Sequence, residues 1–407
     1  MIILCRHTLL VVICLFLFPL VITANEQPTL ALVGATVYAS PNAEPLRDAV
    51  VLVADGRIVT VGKRAEVKIP TGAQMIDCSG KTIVAGFWNS HVHFIETLWG
   101  NAQTRPAADL GKPMQEMLTR WGFTTVWDLG SNPGDSFALR RRVDSGEISG
   151  PRILLAGDIF PKNGHPVYLP GEMQLPEAAT PEQAAQMTHD DLKMGYDGMK
   201  LFTGAFMGDK PVINMDTATV KAAVDVTHAQ GRPVFAHPQN RVGLDNAIDG
   251  GVDILAHTIP STDFHYTSEE LARFKAQHTA LIPTLTLWTT IVNDPAFTER
   301  IVQAGVDQLK AFWANGGTVL FGTDVGFINV YDTSLEMEFM GRALAPKDVL
   351  ASLTTNPASY FTASSKGRVE TGLDADLVVL DGDPMVDVRN LAKVAYTIRA
   401  GRVIFQK

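Results

Sequence analysis

The fold this 407-residue sequence predicts is a closed barrel of eight parallel strands wrapped in helices, with a small β-rich domain made from both chain ends. Three observations point there. Both ends are rich in short strand-like runs, the middle alternates brief apolar runs with helical segments, and the number of those runs is eight.

At the start, Leu9 to Ile22 form an unbroken apolar run behind Arg6, followed by Thr23, Ala24 and polar residues. This reads as a secretory signal peptide over 1–24, because 14 helical residues cover roughly 21 Å of a bilayer core about 30 Å thick. The expected location is therefore periplasmic or secreted. Cleavage near Ala24 removes Cys5 and Cys14 and leaves only Cys78, so no intrachain disulfide is expected.

From Leu30 to about Thr82 the runs ALVGATVYA, AVVLVADGRIVTVG and AQMIDCSGKTIV alternate with turns, and hairpins are expected at Asp55-Gly56 and Ser79-Gly80. The far end, DADLVVLDGD and VAYTIRAGRVIFQ, reads alike, with a turn at Ala400-Gly401. Neither piece alone supplies enough strands to bury a face, so 28–82 and 366–407 are expected to join as one β-sandwich-like domain. Between them, 83–365 contains IVAGFWNSHVHF, FTTVWDLG, RILLAGDIF, GMKLF, PVFAHP, DILAHT, ALIPTLTL and TVLFGTD. Helical segments such as PEQAAQMTHDDLKM, SEELARFKAQH and RIVQAGVDQLKAFWANG separate them. An open doubly wound sheet is the competing architecture, but no Gly-rich dinucleotide loop follows the first strand.

Composition narrows the function. With 46% hydrophobic and 19% charged residues the chain is neither disordered nor fibrous. A net charge of −9 with no basic tract argues against nucleic acid or an anionic membrane as partner. The partner expected is a small-molecule or dipeptide-like substrate, and a homo-oligomer is compatible with the composition.

In a parallel barrel the carboxyl ends of the strands form the active-site face, so ionisable residues closing apolar runs carry the information. Run one ends with His91 and His93, run four with Lys200, run five with His237, run six with His257 and run eight with Asp324. A His-x-His pair alone arises by chance in roughly a quarter of chains with this many histidines. On a strand, however, alternate residues face one side and can share a cation. His237 and His257 are 20 residues apart, one strand-helix unit, which suits adjacent strands and a shared metal, although singly each reads as a core histidine. Asp324 is placed to bind metal and accept a proton, with helix capping as its plain alternative. Lys200 beside cations makes sense if it is neutral, or converted by carbon dioxide into a carbamate whose oxygens bridge two metals; otherwise it is a salt-bridged structural lysine. His165, in the long Pro-rich loop after run three, is a candidate substrate contact, while Asp128 and Asp158 are expected to orient neighbours. Trp99, Tyr168 and Trp288 are candidates for an aromatic pocket.

Taken together, AGFWNSHVHF, GYDGMKLF, FAHPQN, DILAHT, LFGTDVG and the closing DADLVVLDGDP resemble the amidohydrolase superfamily. The likeness is strongest to the imidazolonepropionase-related branch that includes Xaa-Pro dipeptidase-like enzymes, and it runs from about Leu30 to Phe405. The resemblance implies one divalent metal, usually zinc, on His91, His93 and Asp324, and a second on His237 and His257, with carboxylated Lys200 bridging both. It implies attack by a metal-bridging hydroxide on an amide, peptide or lactam, with Asp324 moving the proton. Two departures weaken any transfer of dipeptide specificity: Phe235 stands where relatives often carry another histidine, and KNGHP replaces a fuller Gly-Gly-His-Gly. A mononuclear deaminase or cyclic-amide hydrolase, in which Lys200 takes no part, and a catalytically silent binding protein are the alternatives.

Overall fold

The computed structural model describes residues 30–291 and 294–407. The segment read as a signal peptide, with Cys5 and Cys14, lies outside the described residues. Among the described residues no helix is long and apolar enough to cross a membrane.

Eight parallel strands follow one another around the barrel, each beside its neighbours in sequence: Phe87–Val92, Phe123–Asp128, Arg152–Pro161, Gly198–Leu201, Val234–Ala236, Ile254–Ala256, Ala280–Ile282 and Thr318–Val319. They coincide with the eight apolar runs. The sheet closes where the first strand meets the segment beyond the eighth: Ser90 N donates to Phe321 O at 2.7 Å, Asp324 N to His91 O at 2.9 Å and His93 N to Val325 O at 2.8 Å. Trp88, Trp127, Phe235, Ile254, Ile282 and Leu320 fill the interior as a packed plug. Phe235, where relatives often have a histidine, belongs to that plug, its ring 5.0 Å from Trp127.

The helices start where local chemistry starts them. Thr180 caps Pro181–Met194, Asp216 caps Thr217–His228, and Thr267 with Glu270 forms a full capping box on Ser268–Gln277. Their apolar faces pack on the outside of the barrel in the largest hydrophobic cluster.

The chain ends form a single eight-stranded sheet in which Thr82–Ala85 pairs antiparallel with Leu377–Leu380 and parallel with Leu30–Val37. The sheet curls so that Arg57 bridges Asp374, and Leu32, Val51, Val53, Leu377, Val379 and Ile398 share one core. Its other face, through Val84, Val378 and Leu380, packs on the barrel. The Asp55-Gly56 and Ala400-Gly401 hairpins are present, all four residues having positive φ as such tight turns require. Ser79-Gly80 is not a hairpin. Gln74–Asp77 and Thr82–Ala85 do not pair with each other; both run parallel to Leu30–Val37, one after the other. The turn between them lies against the bulge at Gly34, where Ser79 occupies the space a Cβ would need.

Candidate metal centre and active site

Every ionisable residue singled out at a strand end reaches the same end of the barrel, but the backbone routes differ. The first strand carries register irregularities between Phe87 and Trp88 and between Asn89 and Val92. Strict alternation would send His91 to the face opposite Trp88; the bulge re-phases the strand, so Trp88 fills the barrel while His91 and His93 face the site above it. Asn89 ties this strand to the last one, donating through Nδ2 to Thr323 Oγ1 at 2.8 Å and accepting from Thr323 N at 3.2 Å. Asp324, at φ 60°, and Gly326 then cross directly over strand one, where a Cβ at Gly326 would lie 1.8 Å from His93 O. Glycine is the residue that fits there.

His91 Nε2, His93 Nε2 and Asp324 Oδ1 form a triangle with edges of 3.2, 3.2 and 3.0 Å. A tetrahedral ion with bonds of about 2.0–2.2 Å spaces its ligand atoms about 3.3–3.6 Å apart, so the triangle is a few tenths of an ångström tighter than one face of such a site. Two further facts fit a cation. His93 Nδ1 donates to Gly130 O at 2.7 Å, which in the neutral ring leaves Nε2 a bare lone pair, and Asp324 Oδ1 is buried with no hydrogen-bond donor. Without a metal a proton takes that place: burial pulls the His93 pKa down, but the Asp324 carboxylate more than offsets this and holds it above the usual imidazole value.

The remaining predicted residues continue the same cluster. The His257 ring lies 4.7 Å from His91 and 4.7 Å from His237, and His237 stacks 5.1 Å from Phe202, over which Lys200 Nζ lies at 5.3 Å. His237 donates through Nε2 to Gln239 Oε1 at 3.1 Å, leaving Nδ1 as its lone pair. His257 Nδ1 lies 2.6 Å from Thr284 Oγ1, whose proton goes to Pro283 O at 2.9 Å, so the ring nitrogen donates and Nε2 is the free lone pair. Burial, reinforced by Lys200, lowers the pKa of His237 to about 3. Burial, His237 and Lys200 hold His257 well below its ordinary value, and burial with Lys200 does the same to His91. These imidazoles are neutral and ready to ligate.

Lys200 is 1% exposed and, among the described residues, Nζ makes no hydrogen bond or ion pair. It is not the salt-bridged structural lysine that was its plain alternative. Burial lowers its pKa to about 8 despite the opposing pull of Asp324 and Asp158.

Asp128 and Asp158 part company. Asp128 accepts from Ser131 Oγ at 2.6 Å and Ser136 Oγ at 2.7 Å, bracing the loop whose Gly130 carbonyl orients His93. Asp158 sits beside Lys200 in strand register, and burial raises its pKa to about 6. His165 bonds to its own loop, its ring nitrogens 3.2 Å from Pro166 O and Met173 O. Trp99 is core, packed edge-on against Phe94, whereas Trp288 stands 6.2 Å from His257 and donates to Thr258 Oγ1 at 3.1 Å. Tyr168 lies edge-on to Phe327, just past Asp324. Sequence reading missed Asn89, Thr284 and Gln239; the signal for Asn89 and Gln239 was adjacency to His91 and His237, and Thr284 had none.

A parallel barrel with a His-His-Asp cluster at its carboxyl rim defines a metal-dependent hydrolase. Comparison with known proteins agrees: residues 82–404 match the Amidohydrolase family, and the chain belongs to it. Ochratoxinase of Aspergillus niger is 24% identical over 421 residues, spanning 91% of this chain and 85% of its own. Imidazolonepropionase of Thermoplasma acidophilum is 22% identical over 399 residues, spanning 88% and 89%. Among solved structures, a Bifidobacterium longum protein assigned as a prolidase superposes with a TM-score of 0.77 at 28% identity, covering 93% of this chain and 95% of that one. The chain is thus an amidohydrolase-family hydrolase, and the proteins it is similar to include ones named imidazolonepropionase and prolidase.

Proposed function

We propose that the protein hydrolyses an amide or peptide bond in a small, dipeptide-like substrate, using a binuclear centre held by His91, His93, Lys200, His237, His257 and Asp324. The observation that carries this reading is the buried Lys200 amine, which makes no hydrogen bond or ion pair among the described residues, inside a cluster of imidazoles with lowered pKa values. A buried ammonium there costs several kcal/mol; loss of its proton removes that cost, and an anion in its place would be offset by the cations it binds. With its pKa lowered to about 8, roughly a tenth of the amine is unprotonated at neutral pH, far more than for an ordinary lysine. That free base adds to carbon dioxide, forming an N–C bond and releasing one proton, and the carbamate supplies the negative charge this half of the site lacks.

Two divalent ions, zinc being the first choice, supply an acidic water and a Lewis acid for the carbonyl when bound. The protein's own part is positional and protonic. His91, His93 and Asp324 hold one ion, and His237 and His257 the other. Asp324 takes the proton from the attacking water on the carboxylate oxygen that stands outside the ligand triangle and hands it to the leaving nitrogen. His165 is assigned to the substrate, a role that requires its ring to exchange its loop partners Pro166 O and Met173 O for the bound molecule. Export is proposed from the leader segment.

A second reading, one ion on His91, His93 and Asp324 alone, is favoured by the tightness of that triangle, the three ligand atoms lying within 4.8 Å of one another. Metal quantification on the purified protein, paired with a screen of N-acyl amino acids, Xaa-Pro dipeptides and lactams, separates the two. Two ions per chain and amide turnover support the binuclear proposal; one ion with full turnover overturns it.

A further inference from the structure

The loop after the seventh strand holds a strained residue against a candidate ligand, and a buried carboxylate from elsewhere holds that residue. Thr284 has φ 46°, a left-handed conformation that a β-branched side chain rarely adopts. Its hydroxyl is the partner of His257 Nδ1. The next two backbone amides, Leu285 N at 2.9 Å and Thr286 N at 2.6 Å, donate to the two oxygens of Glu336, which is wholly buried in the first turn of Ser334–Gly341. Nothing in the proposed chemistry uses this carboxylate, and burying one is costly.

We propose that Glu336 is a positioning residue for the second half of the metal centre. By accepting both amides it fixes the turn that presents Thr284 Oγ1 to His257. That hydroxyl, with its proton committed to Pro283 O, selects the His257 tautomer whose Nε2 lone pair faces the site. The clamp explains why a strained threonine persists: with the following amides pinned, the backbone cannot relax without leaving them unpaired. The inference rests on the reading of His257 as a metal ligand.

The test measures metal affinity by chelator competition, together with kcat, KM and Tm, in Glu336→Gln, Thr284→Val, Thr284→Ser, the Glu336→Gln/Thr284→Val double variant and His257→Ala, with zinc as probe. Gln at 336 keeps one acceptor and turns an N–H toward the other amide. Both Glu336→Gln and Thr284→Val are expected to weaken the second ion 10- to 100-fold, with kcat falling and KM little changed. Thr284→Ser keeps the hydroxyl and should match the parent. The double variant should lose no more than the worse single one, because both act through one hydrogen bond. Losses that multiply, or a Glu336→Gln protein with lower Tm but unchanged zinc affinity, overturn the inference and leave the binuclear reading standing. Unchanged affinity in Thr284→Val does the same, and remains measurable if Glu336→Gln does not fold. Full zinc content in His257→Ala overturns the reading beneath it.

Discussion

The two halves of the candidate centre are built on opposite electrostatic plans. Strands one and eight contribute two imidazoles and a carboxylate whose ligand atoms stand 3.0–3.2 Å apart, a set that draws a proton onto His93 when no cation is present. Strands four to six contribute two imidazoles and an amine, with rings 4.7 Å apart and, among the described residues, no carboxylate bonded to any of the three. The first half attracts positive charge; the second tolerates it only after Lys200 is neutralised or made anionic. The backbone divides along another line: His257, Thr284 and Asp324, all on the last three strands, have positive φ, whereas His91, His93 and Lys200 do not. The later strands therefore depend more on outside bracing, supplied for Thr284 by Glu336.

The contrast breaks most visibly at Asp324. Replacing Asp324 by Asn should lower kcat about 10³-fold or more, since it removes both the proton carrier and the only carboxylate of the first half, while zinc on His237 and His257 stays bound. Near-parental kcat in that variant, measured alongside metal content, would remove Asp324 from catalysis. Lys200 comes next. Lys200→Ala should lose about 10²-fold and regain part of it with a small carboxylate such as formate, whereas Lys200→Arg, which keeps a positive charge, should stay inactive; an active Arg variant would mean that charge, not a carbamate, is needed.

Acid should sharpen the comparison further. The pKa of His93 is raised by Asp324, so protons compete for its Nε2 at higher pH than for an ordinary imidazole, while His237 is held at about 3 and His257 well below its ordinary value. As pH falls, the first-half ion should leave before the second, and dialysis at stepped pH with metal analysis should show a one-ion plateau; simultaneous release contradicts it. The smallest effect is expected at the seam: Asn89→Ala, which leaves Thr323 N without its buried acceptor, should cost about 2 kcal/mol in denaturant unfolding with a modest change in kcat.

The sequence shows the eight strands clearly because each is a short apolar run bounded by turn residues, and six ionisable residues stand out because each closes such a run. Phase was not legible. The bulge around Asn89 inverts which side His91 faces, and no composition rule announces a bulge. Ser79-Gly80 carries hairpin chemistry, yet the long strand beside it took both flanking segments as successive parallel partners. The groups that aim the ligands were hidden for a different reason. Thr284 and Glu336 are 52 positions apart, in segments with ordinary composition, and only the fold makes them neighbours.

The small sheet couples the beginning of the chain to its end. Thr82–Ala85, which leads into the first barrel strand, finds its antiparallel partner Leu377–Leu380 only after the whole barrel has been synthesised. Leu377–Leu380 therefore seals a segment made much earlier. A chain stopped short of that point leaves Val84 and Ile83 on an open edge, so unfinished molecules remain marked by exposed apolar surface until synthesis is complete.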